Sequence, residues 1–410
     1  ISCGTFEACS SLESITIPEG VTSIGEYAFY ACVLRTVTVP DSVKTIGLGA
    51  FGGIQYLERI SLPFVGKQAR TANLSNQYPF GYIFGAQSFN GSVATQQYYY
   101  GSSLSSTTSK TYQIPGHLTY VTIRGGYIPY GAFYNCASIT NITLGDGVTE
   151  IGEQAFYGCT AKNITINEGA TKIGSKAFYG CAELTTISIP SSVTYIGASA
   201  FEGCKKLTSL YVADLGAWCP VDLYNKYSAP MYYAGGKLYV GNEHITNLVI
   251  PDGVSYIGQY AFYKCKEITS ITVPDSVTSI GEGAFRDCYL GQVHIQDMES
   301  WCKIAFEDAQ SNPLHRGVNL YLNGTPVTEL VIPNGISDIG QYAFSGCKST
   351  TNVIMPDGVT SIGDHAFQGN ENMTQVTIPG SVSKIGEHAF SGSKNLSKVH
   401  LSDLVAWCGI

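Results

Sequence analysis

The sequence predicts a repeat solenoid, in which short parallel β-strands stack on one another and are joined by short helical or irregular turns. A six-residue motif, Ile-Gly-x-x-Ala-Phe, occurs ten times, with its isoleucine at positions 24, 46, 151, 173, 196, 257, 280, 339, 362 and 385. Successive motif phenylalanines lie 22 or 23 residues apart, except at three gaps of 82, 61 and 59 residues. Such a register does not arise by chance, so we interpret residues 1–410 as a single solenoid, each turn of which we call a coil.

The first complete coil shows why each part of the repeat takes its structure. Apolar side chains alternate with polar ones over residues 12–17, and this period of two predicts a short strand. Pro18 has no amide hydrogen to donate and ends the strand. We expect Gly25 to provide backbone freedom, and residues 26–32 to form one or two helical turns that direct Phe29 inward. One coil cannot bury this apolar face alone, so neighbouring coils must stack.

Composition and charge exclude several classes of partner. Charged residues make up only 13% of the chain, and the formal net charge is −8. The densest basic cluster is the pair Lys205-Lys206, so we expect no nucleic-acid partner. No apolar run approaches the roughly 20 residues that a membrane-spanning helix needs, so we expect no membrane insertion in this segment.

Most cysteines occupy one position of the repeat. Nine of the thirteen lie three residues after a motif phenylalanine, at positions 9, 32, 136, 159, 181, 204, 265, 288 and 347. Other coils place Ile54, Asn370 or Ser393 there. A set of disulfides is one interpretation, but these replacements and the odd number of cysteines favour a ladder of small buried thiols. A zinc site is less favoured, because no Cys-x-x-Cys spacing occurs.

Two of the gaps contain longer coils, at 207–250 and 290–332, and a third copy of their pattern starts at 396–410. Each copy has an aspartate four residues before a Trp-Cys pair, and these aspartates are Asp214, Asp297 and Asp403. We expect each aspartate to cap a short helix that carries the tryptophan into the core. A Trp-Cys binding pocket is the alternative, but the fixed repeat position favours core packing. Asn323-Gly324 predicts a tight β-turn.

The third copy stops at position 410, where its continuation should begin. We therefore expect the native protein to run on past this end.

The first gap differs from the other two. The first repeats, 1–62, are followed by an aromatic-rich insertion at 63–127, and the repeats resume at 128–410. Tyrosines suit recognition because they offer contact area and a hydroxyl at a low cost in conformational entropy. Our candidate ligand-binding residues are Tyr98, Tyr99, Tyr100 and Tyr112. The alternative is an aromatic mini-core that covers one side of the stack.

No candidate catalytic site stands out from the repeat. Catalysis on a solenoid would need carboxylates or a Cys/His pair outside the repeat register, whereas most acidic residues recur at fixed exposed positions. His365 and His388 lie one repeat apart and could form a two-histidine metal site, although drift of an exposed repeat position explains them more simply. We predict no catalytic residues, no metal and no cofactor.

The repeat resembles a known family. The segment Ile15-Thr-Ile-Pro-Glu-Gly-Val-Thr-Ser-Ile-Gly-Glu-Tyr-Ala-Phe-Tyr-Ala-Cys and its counterpart at 271–288 are similar to the BspA-like leucine-rich repeat family. The Pro-Phe-Val-Gly insertion and the Asp-Leu-x-x-Trp-Cys coils look like variants common in gut Firmicutes. The resemblance implies a leucine-rich-repeat-like solenoid in a secreted or cell-surface bacterial protein.

The function that this resemblance implies is adhesion rather than catalysis. We expect a non-enzymatic module that recognises a host or microbial surface protein or glycan through the solenoid surface and the 63–127 insertion. A structural spacer that holds another domain away from the cell is the alternative. A polysaccharide-active β-solenoid enzyme is less favoured.

Overall fold

A computed structural model describes residues 1–72, 74–233 and 235–408, and it forms a parallel β-solenoid of about 16 turns with little helix. This confirms the predicted fold class. The chain divides into two compact units. The N-terminal unit comprises Ile1–Asp214 and Leu223–Ala234, and the C-terminal unit comprises Leu215–Asp222 and Gly235–Ile410.

In the N-terminal unit, most coils contribute one strand to a main parallel ladder and one to a short ladder, but residues 12–17, predicted as a strand, form none. The main-ladder strands are Thr36–Thr38, Arg59–Leu62, Tyr120–Ile128, Asn141–Ile151, Asn163–Ile166, Thr186–Ile189 and Ser209–Val212. The short strands are Ser23–Ile24, Thr45–Ile46, Lys172–Ile173 and Tyr195–Ile196, with Asp222–Leu223 at the sequence boundary of the units. Equivalent residues of adjacent coils pair in register, as Ile187 does with Ile164 and Leu210.

The C-terminal unit repeats this arrangement. Its main-ladder strands are Asn247–Val249, Ser270–Val273, Gln292–Ile295, Asn319–Leu322, Glu329–Val331, Asn352–Ile354, Gln375–Ile378 and Lys398–Leu401. Its short strands are Tyr256–Ile257, Ser279–Ile280, Ala305–Phe306, Asp338–Ile339, Ser361–Ile362 and Lys384–Ile385.

Two antiparallel hairpins belong to the longer coils of this unit. Lys237–Val240 pairs with Glu243–Ile245, and Asn319–Leu322 pairs with Thr325–Pro326. The predicted turn is confirmed, because Asn323 and Gly324 join the second pair with φ of 50° and 78°. Positive φ at both central residues is the conformation that a tight hairpin turn requires.

The core is organised by the motif phenylalanines. Their rings stack nearly parallel from coil to coil, with centroids 5.0 Å apart for Phe133 and Phe156 and 5.2 Å apart for Phe156 and Phe178. In the C-terminal unit, Phe344 and Phe367 stack at 5.5 Å. All five of these rings are fully buried, which confirms that the motif phenylalanine points into the core.

The segment that follows the first Ile-Gly pair corrects one prediction. It forms no helix: the amides of Ala28, Tyr30 and Cys32 each donate to the carbonyl three residues earlier. Tyr27 has φ of 55° and Ala31 has φ of 60°, both in the left-handed region. A right-handed helix cannot pass through these residues, so the segment is a run of consecutive turns.

The expected role of Gly25 is also wrong. This glycine is not in the left-handed region; instead, a Cβ built on it would lie 2.4 Å from the backbone nitrogen of Cys3 in the preceding coil. At Gly281, a Cβ would lie 2.6 Å from the backbone nitrogen of Gln259. At Gly25 and Gly281, glycine is therefore required because the backbones of adjacent coils approach too closely for any side chain.

The cysteines are free thiols, and ten of the thirteen are buried. Several ladder thiols donate to the carbonyl of the motif phenylalanine one coil earlier, as Cys181 Sγ does to Phe156 O at 3.0 Å. Ser393 Oγ makes the same bond to Phe367 O at 3.1 Å. Serine can therefore replace cysteine there with the same hydrogen bond, whereas Ile54 fills the position without a donor.

Short helices carry the tryptophans of the longer coils. The α-helices are Leu215–Trp218, Met298–Cys302 and Leu404–Trp407, and the 3-10 helices are Phe80–Ile83 and Lys226–Ser228. Trp218 and Trp301 are buried, and their Nε1 atoms donate to Ala261 O at 3.1 Å and Ala343 O at 3.0 Å. These alanines precede motif phenylalanines, so both tryptophans are core residues as predicted.

The aspartates that precede these helices were predicted to be caps. Asp297 Oδ2 accepts a hydrogen bond from Ser300 N at 2.8 Å, and Asp403 Oδ1 accepts one from Val405 N at 2.8 Å. The first helix of this kind begins at the residue after Asp214. In the third copy, Trp407 lies near the end of the sequence and is 37% exposed.

Residues 63–127, predicted as an insertion, contain a part of the stack that the sequence did not reveal. The ring centroid of Phe80 lies 4.8 Å from that of Phe133, and the Phe80 amide donates to Ala132 O at 2.9 Å. The strand Tyr120–Ile128 rejoins the main ladder within this segment. What the segment adds to the repeat is chiefly one antiparallel hairpin, Ser92–Tyr100 with Thr107–Pro115.

The close approach of the coils at Ile-Gly predicts a strong effect of one methyl group. We expect Gly281→Ala to destabilise the protein by about 2–3 kcal/mol, because the new Cβ meets backbone that cannot move aside cheaply. Gly291→Ala, in the same coil, is the matched control, because its Cβ would have Thr269 O as its nearest neighbour at 3.7 Å. The midpoint of urea-induced unfolding measures both effects. Equal midpoints for the two variants would contradict the packing role of the Ile-Gly glycine.

The thiol ladder predicts which cysteines react in the native protein. Burial raises the pKa of Cys159 and of Cys265 to about 12, so the reactive thiolate is scarce at pH 8. We expect a thiol reagent to modify the exposed Cys3, Cys9 and Cys408 quickly and the ten buried cysteines only on unfolding. Cys9→Ser should lower the rapid count by one. Fewer than thirteen thiols in denaturant without reductant would indicate disulfides instead.

Candidate ligand-binding surface

The hairpin from the predicted insertion places the candidate tyrosines in two environments. Tyr98, Tyr99 and Tyr100 end its first strand and are half-buried. Tyr100 packs on Tyr130 with ring centroids 4.5 Å apart. These three tyrosines retain accessible surface, and their role in ligand binding stays a prediction.

Tyr112 needs correction, because it lies inside the hairpin base. Its side chain is only 2% exposed. A Cβ built on Gly81, in the 3-10 helix, would lie 2.5 Å from Tyr112 Cβ, which shows how closely the two segments pack. Burial and the nearby hydroxyl of Tyr99 raise the pKa of Tyr112. Its ring therefore offers almost no surface to a ligand and belongs to the aromatic mini-core that was the alternative.

A buried glutamine anchors the hairpin to the coils. Gln97 is completely buried, and its Oε1 accepts a hydrogen bond from Gly81 N at 2.7 Å. Its Nε2 donates to Ala132 O at 3.0 Å. A buried amide with both ends satisfied fixes the position of its strand, because losing either bond would leave a buried polar group without a partner. Gln97 thus holds the adjacent Tyr98 in place.

Tyr98 extends a row of coil tyrosines. Its ring centroid is 4.8 Å from that of Tyr134, which stacks on Tyr157 at 4.6 Å, and Tyr157 stacks on Tyr179 at 4.9 Å. We call these four residues the tyrosine ladder. The three coil tyrosines each follow a motif phenylalanine and are half-buried. The hairpin therefore adds a fourth ring to a ladder that the repeat itself builds.

The ladder determines which parts of the tyrosines a ligand could touch. The rings of Tyr134, Tyr157 and Tyr179 are parallel within 9°, so neighbouring rings cover each other's faces and leave edges and hydroxyls accessible. Burial, together with the neighbouring Tyr157 and Tyr98 hydroxyls, raises the pKa of Tyr134 to about 12. This hydroxyl therefore stays protonated at neutral pH and can both donate and accept hydrogen bonds.

Sequence reasoning missed most of this surface. It selected Tyr98 but not its partners Tyr134, Tyr157 and Tyr179. A signal was present, because the pair Phe-Tyr recurs at 133–134, 156–157 and 178–179. Read in repeat register, this recurrence would have predicted a tyrosine on three consecutive coils.

The two histidines that could form a metal site, His365 and His388, lie in a row of stacked aromatic rings. In the described parts of the chain, no group of three or more His, Cys, Asp or Glu side chains is placed to hold a metal ion. His365 and His388 stack with centroids 5.2 Å apart, and His365 Nδ1 lies 3.0 Å from Gln368 Oε1. His365 also stacks on Tyr342 at 5.0 Å, so these histidines continue an aromatic row.

Within the described ranges, no helix has the length and apolar character to cross a bilayer.

Several solved bacterial structures are similar to this chain. A leucine-rich cell surface protein from Faecalibacterium prausnitzii is 23% identical over 97% of this chain and 88% of that chain, with a TM-score of 0.32. A leucine-rich repeat protein from Bacteroides ovatus is 23% identical over 94% and 84%, with a TM-score of 0.41. One from Eubacterium ventriosum is 20% identical over 72% and 67%, with a TM-score of 0.34. No curated protein matches the chain.

The sequence profile of the BspA-type leucine-rich repeat region matches residues 1–90, 126–215, 235–312 and 317–407. The hairpin Ser92–Tyr100 with Thr107–Pro115 falls between the first two matches. The matches cover well over half of the sequence and extend through both units. The chain therefore belongs to the BspA-type leucine-rich repeat family, as the resemblance of its repeats implied.

Proposed function

We propose that this protein is a non-catalytic binding module of a secreted or cell-surface bacterial protein. It recognises a host or microbial surface protein or glycan through the tyrosine ladder and the adjoining hairpin. The observation that carries this proposal is the continuity of the ladder from Tyr98 of the hairpin to Tyr179 three coils away. Membership of the BspA-type family supports the location, because the family implies bacterial surface proteins.

The chemistry of the ladder suits recognition better than catalysis. Tyrosine offers a rigid ring and a neutral hydroxyl, which together provide contact area and directional hydrogen bonds without a reactive group. Gln97 and Tyr112 fix the hairpin beneath the half-buried Tyr98, Tyr99 and Tyr100, so the surface is organised before a ligand arrives. A preorganised surface loses less conformational entropy on binding, which favours affinity.

A triple substitution tests the ladder. Tyr98→Ser, Tyr134→Ser and Tyr157→Ser together should weaken binding by about tenfold or more, because aromatic side chains carry much of the energy of binding surfaces. The fold should persist, since the coils at Ser345 and Ser391 already carry serine at the position of the coil tyrosines. Binding is measured on immobilised mucin, extracellular matrix proteins and bacterial polysaccharides, and circular dichroism checks the fold.

Tyr30→Ser is the matched control, because Tyr30 also follows a motif phenylalanine but lies outside the ladder. It should bind as the wild type does. Failure of the wild type to bind any of these surfaces would favour the spacer function. Release of reducing sugar from any polysaccharide would contradict the non-catalytic assignment.

A further inference from the structure

The C-terminal unit has an open groove on its turns. The floor is formed by Gly346, Gly369 and Gly392, which occupy the same position in three consecutive coils with φ of 74°, 70° and 76°. The groove has a volume of about 680 Å³. This volume lies within the range of roughly 300–1,000 Å³ that small-molecule sites occupy.

The groove exists because of one repeat position. The residue directly after the motif phenylalanine is Ser345, Gln368 or Ser391 in these coils. In the N-terminal unit the same position carries the tyrosines of the ladder, at 134, 157 and 179. Large rings thus cover the turns at 134, 157 and 179, whereas in these three coils Gly369 is half-buried and Gly392 is exposed.

Positive charge lines the groove although the whole chain has a net charge of −8. The lining includes three basic side chains, those of Arg316, Lys348 and Lys394, and one acid, Glu371. Lys394 Nζ pairs with Glu371 Oε1 at 2.6 Å, and Arg316 pairs with Asp287 at 2.7 Å. Lys348 Nζ forms no ion pair with any residue that the structure describes.

Neutral polar groups provide the rest of the lining. Gln310, Gln368 and Asn372 contribute amides, and His315 contributes an imidazole. Burial and the adjacent Arg316 lower the pKa of His315, so this ring is uncharged at neutral pH. His315 Nδ1 lies 2.8 Å from Asn312 O, which orients the ring.

The groove offers little to a peptide. Among its lining residues only Ala309 has an aliphatic side chain, so there is no apolar pocket to hold a hydrophobic residue. The amides of Gly346 and Gly369 already donate to Gln368 O and Ser391 O of the next coil, each at 2.8 Å. An added peptide strand would therefore find these backbone donors occupied.

We propose that this groove binds an acidic oligosaccharide, that is, a short sugar chain with carboxylate or sulfate groups. Sugar hydroxyls match the amide of Gln310 and the Nε2 and Oδ1 atoms of Gln368 and Asn372, whose Oε1 and Nδ2 already contact His365 Nδ1 and Lys348 O at 3.0 Å. The acidic groups match Lys348 and Arg316. The inference rests on the proposed function as a binding module, but it assigns a second surface of different chemistry. The two surfaces differ in their residues and can be tested separately.

Isothermal titration of the intact protein with tetragalacturonate tests the groove, and a sulfated tetrasaccharide shows whether sulfate can replace carboxylate. We expect Lys348→Gln to weaken binding about fivefold. High salt should also weaken binding by the wild type, because it screens the attraction between the basic side chains and the acidic sugar. Lys384→Gln is the matched control, since it removes the same charge from an exposed residue outside the groove. It should leave the affinity unchanged.

Gln368→Tyr provides an independent variant. It introduces the side chain that Tyr157 has at the same repeat position, so the fold should accept it while the ring fills the groove. We expect it to abolish tetragalacturonate binding. Retention of binding by this variant would overturn the proposed site.

Three other outcomes would also overturn the proposal: no binding of either acidic oligosaccharide, equal binding of the neutral methyl ester of tetragalacturonate, or equal binding of tetraglutamate. The triple variant of the tyrosine ladder separates the two hypotheses. It should bind tetragalacturonate as the wild type does, even if its own surface proves inactive.

Discussion

Adjacent coils approach each other so closely at most Ile-Gly pairs that no side chain fits between their backbones. A Cβ at Gly281 would lie 2.6 Å from the backbone nitrogen of Gln259. This contact brings equivalent residues of neighbouring coils into register, and the phenylalanine stack and the thiol ladder follow from it. Phe133 and Phe156, for example, stack at 5.0 Å because their coils have no freedom to slide.

In-register stacking turns each repeat position into a row along the protein. At the buried cysteine position, Ser393 makes the bond that Cys181 makes elsewhere, so the contact can persist when the residue changes. Positions on the turns are less restricted. There the same site carries Tyr157 in one unit and Gln368 in the other, and this difference creates a ladder of rings or an open groove. Variation at a single repeat position can therefore change the accessible surface while the core stays the same.

The sequence was sufficient wherever a residue's environment repeats. The inward phenylalanines and the buried Trp218 and Trp301 were predicted, because repeated burial leaves a periodic pattern. It was insufficient for backbone conformation. The left-handed φ of Tyr27 is imposed by contacts between coils and is not a preference of tyrosine, so the turns were mistaken for helix. The partners of Tyr98 were missed because they lie in other coils.

By itself, the sequence determined the repeat length, the fold class and the apolar rows, since these depend on which residues recur and at what spacing. Only the tertiary structure decided that Tyr112 is buried, that Gln97 anchors the hairpin and that Phe80 continues the stack. These features lie outside the repeat register, where no periodicity indicates the partner of a side chain. Their environment depends on how the hairpin packs against the coils, and that packing is visible only in three dimensions.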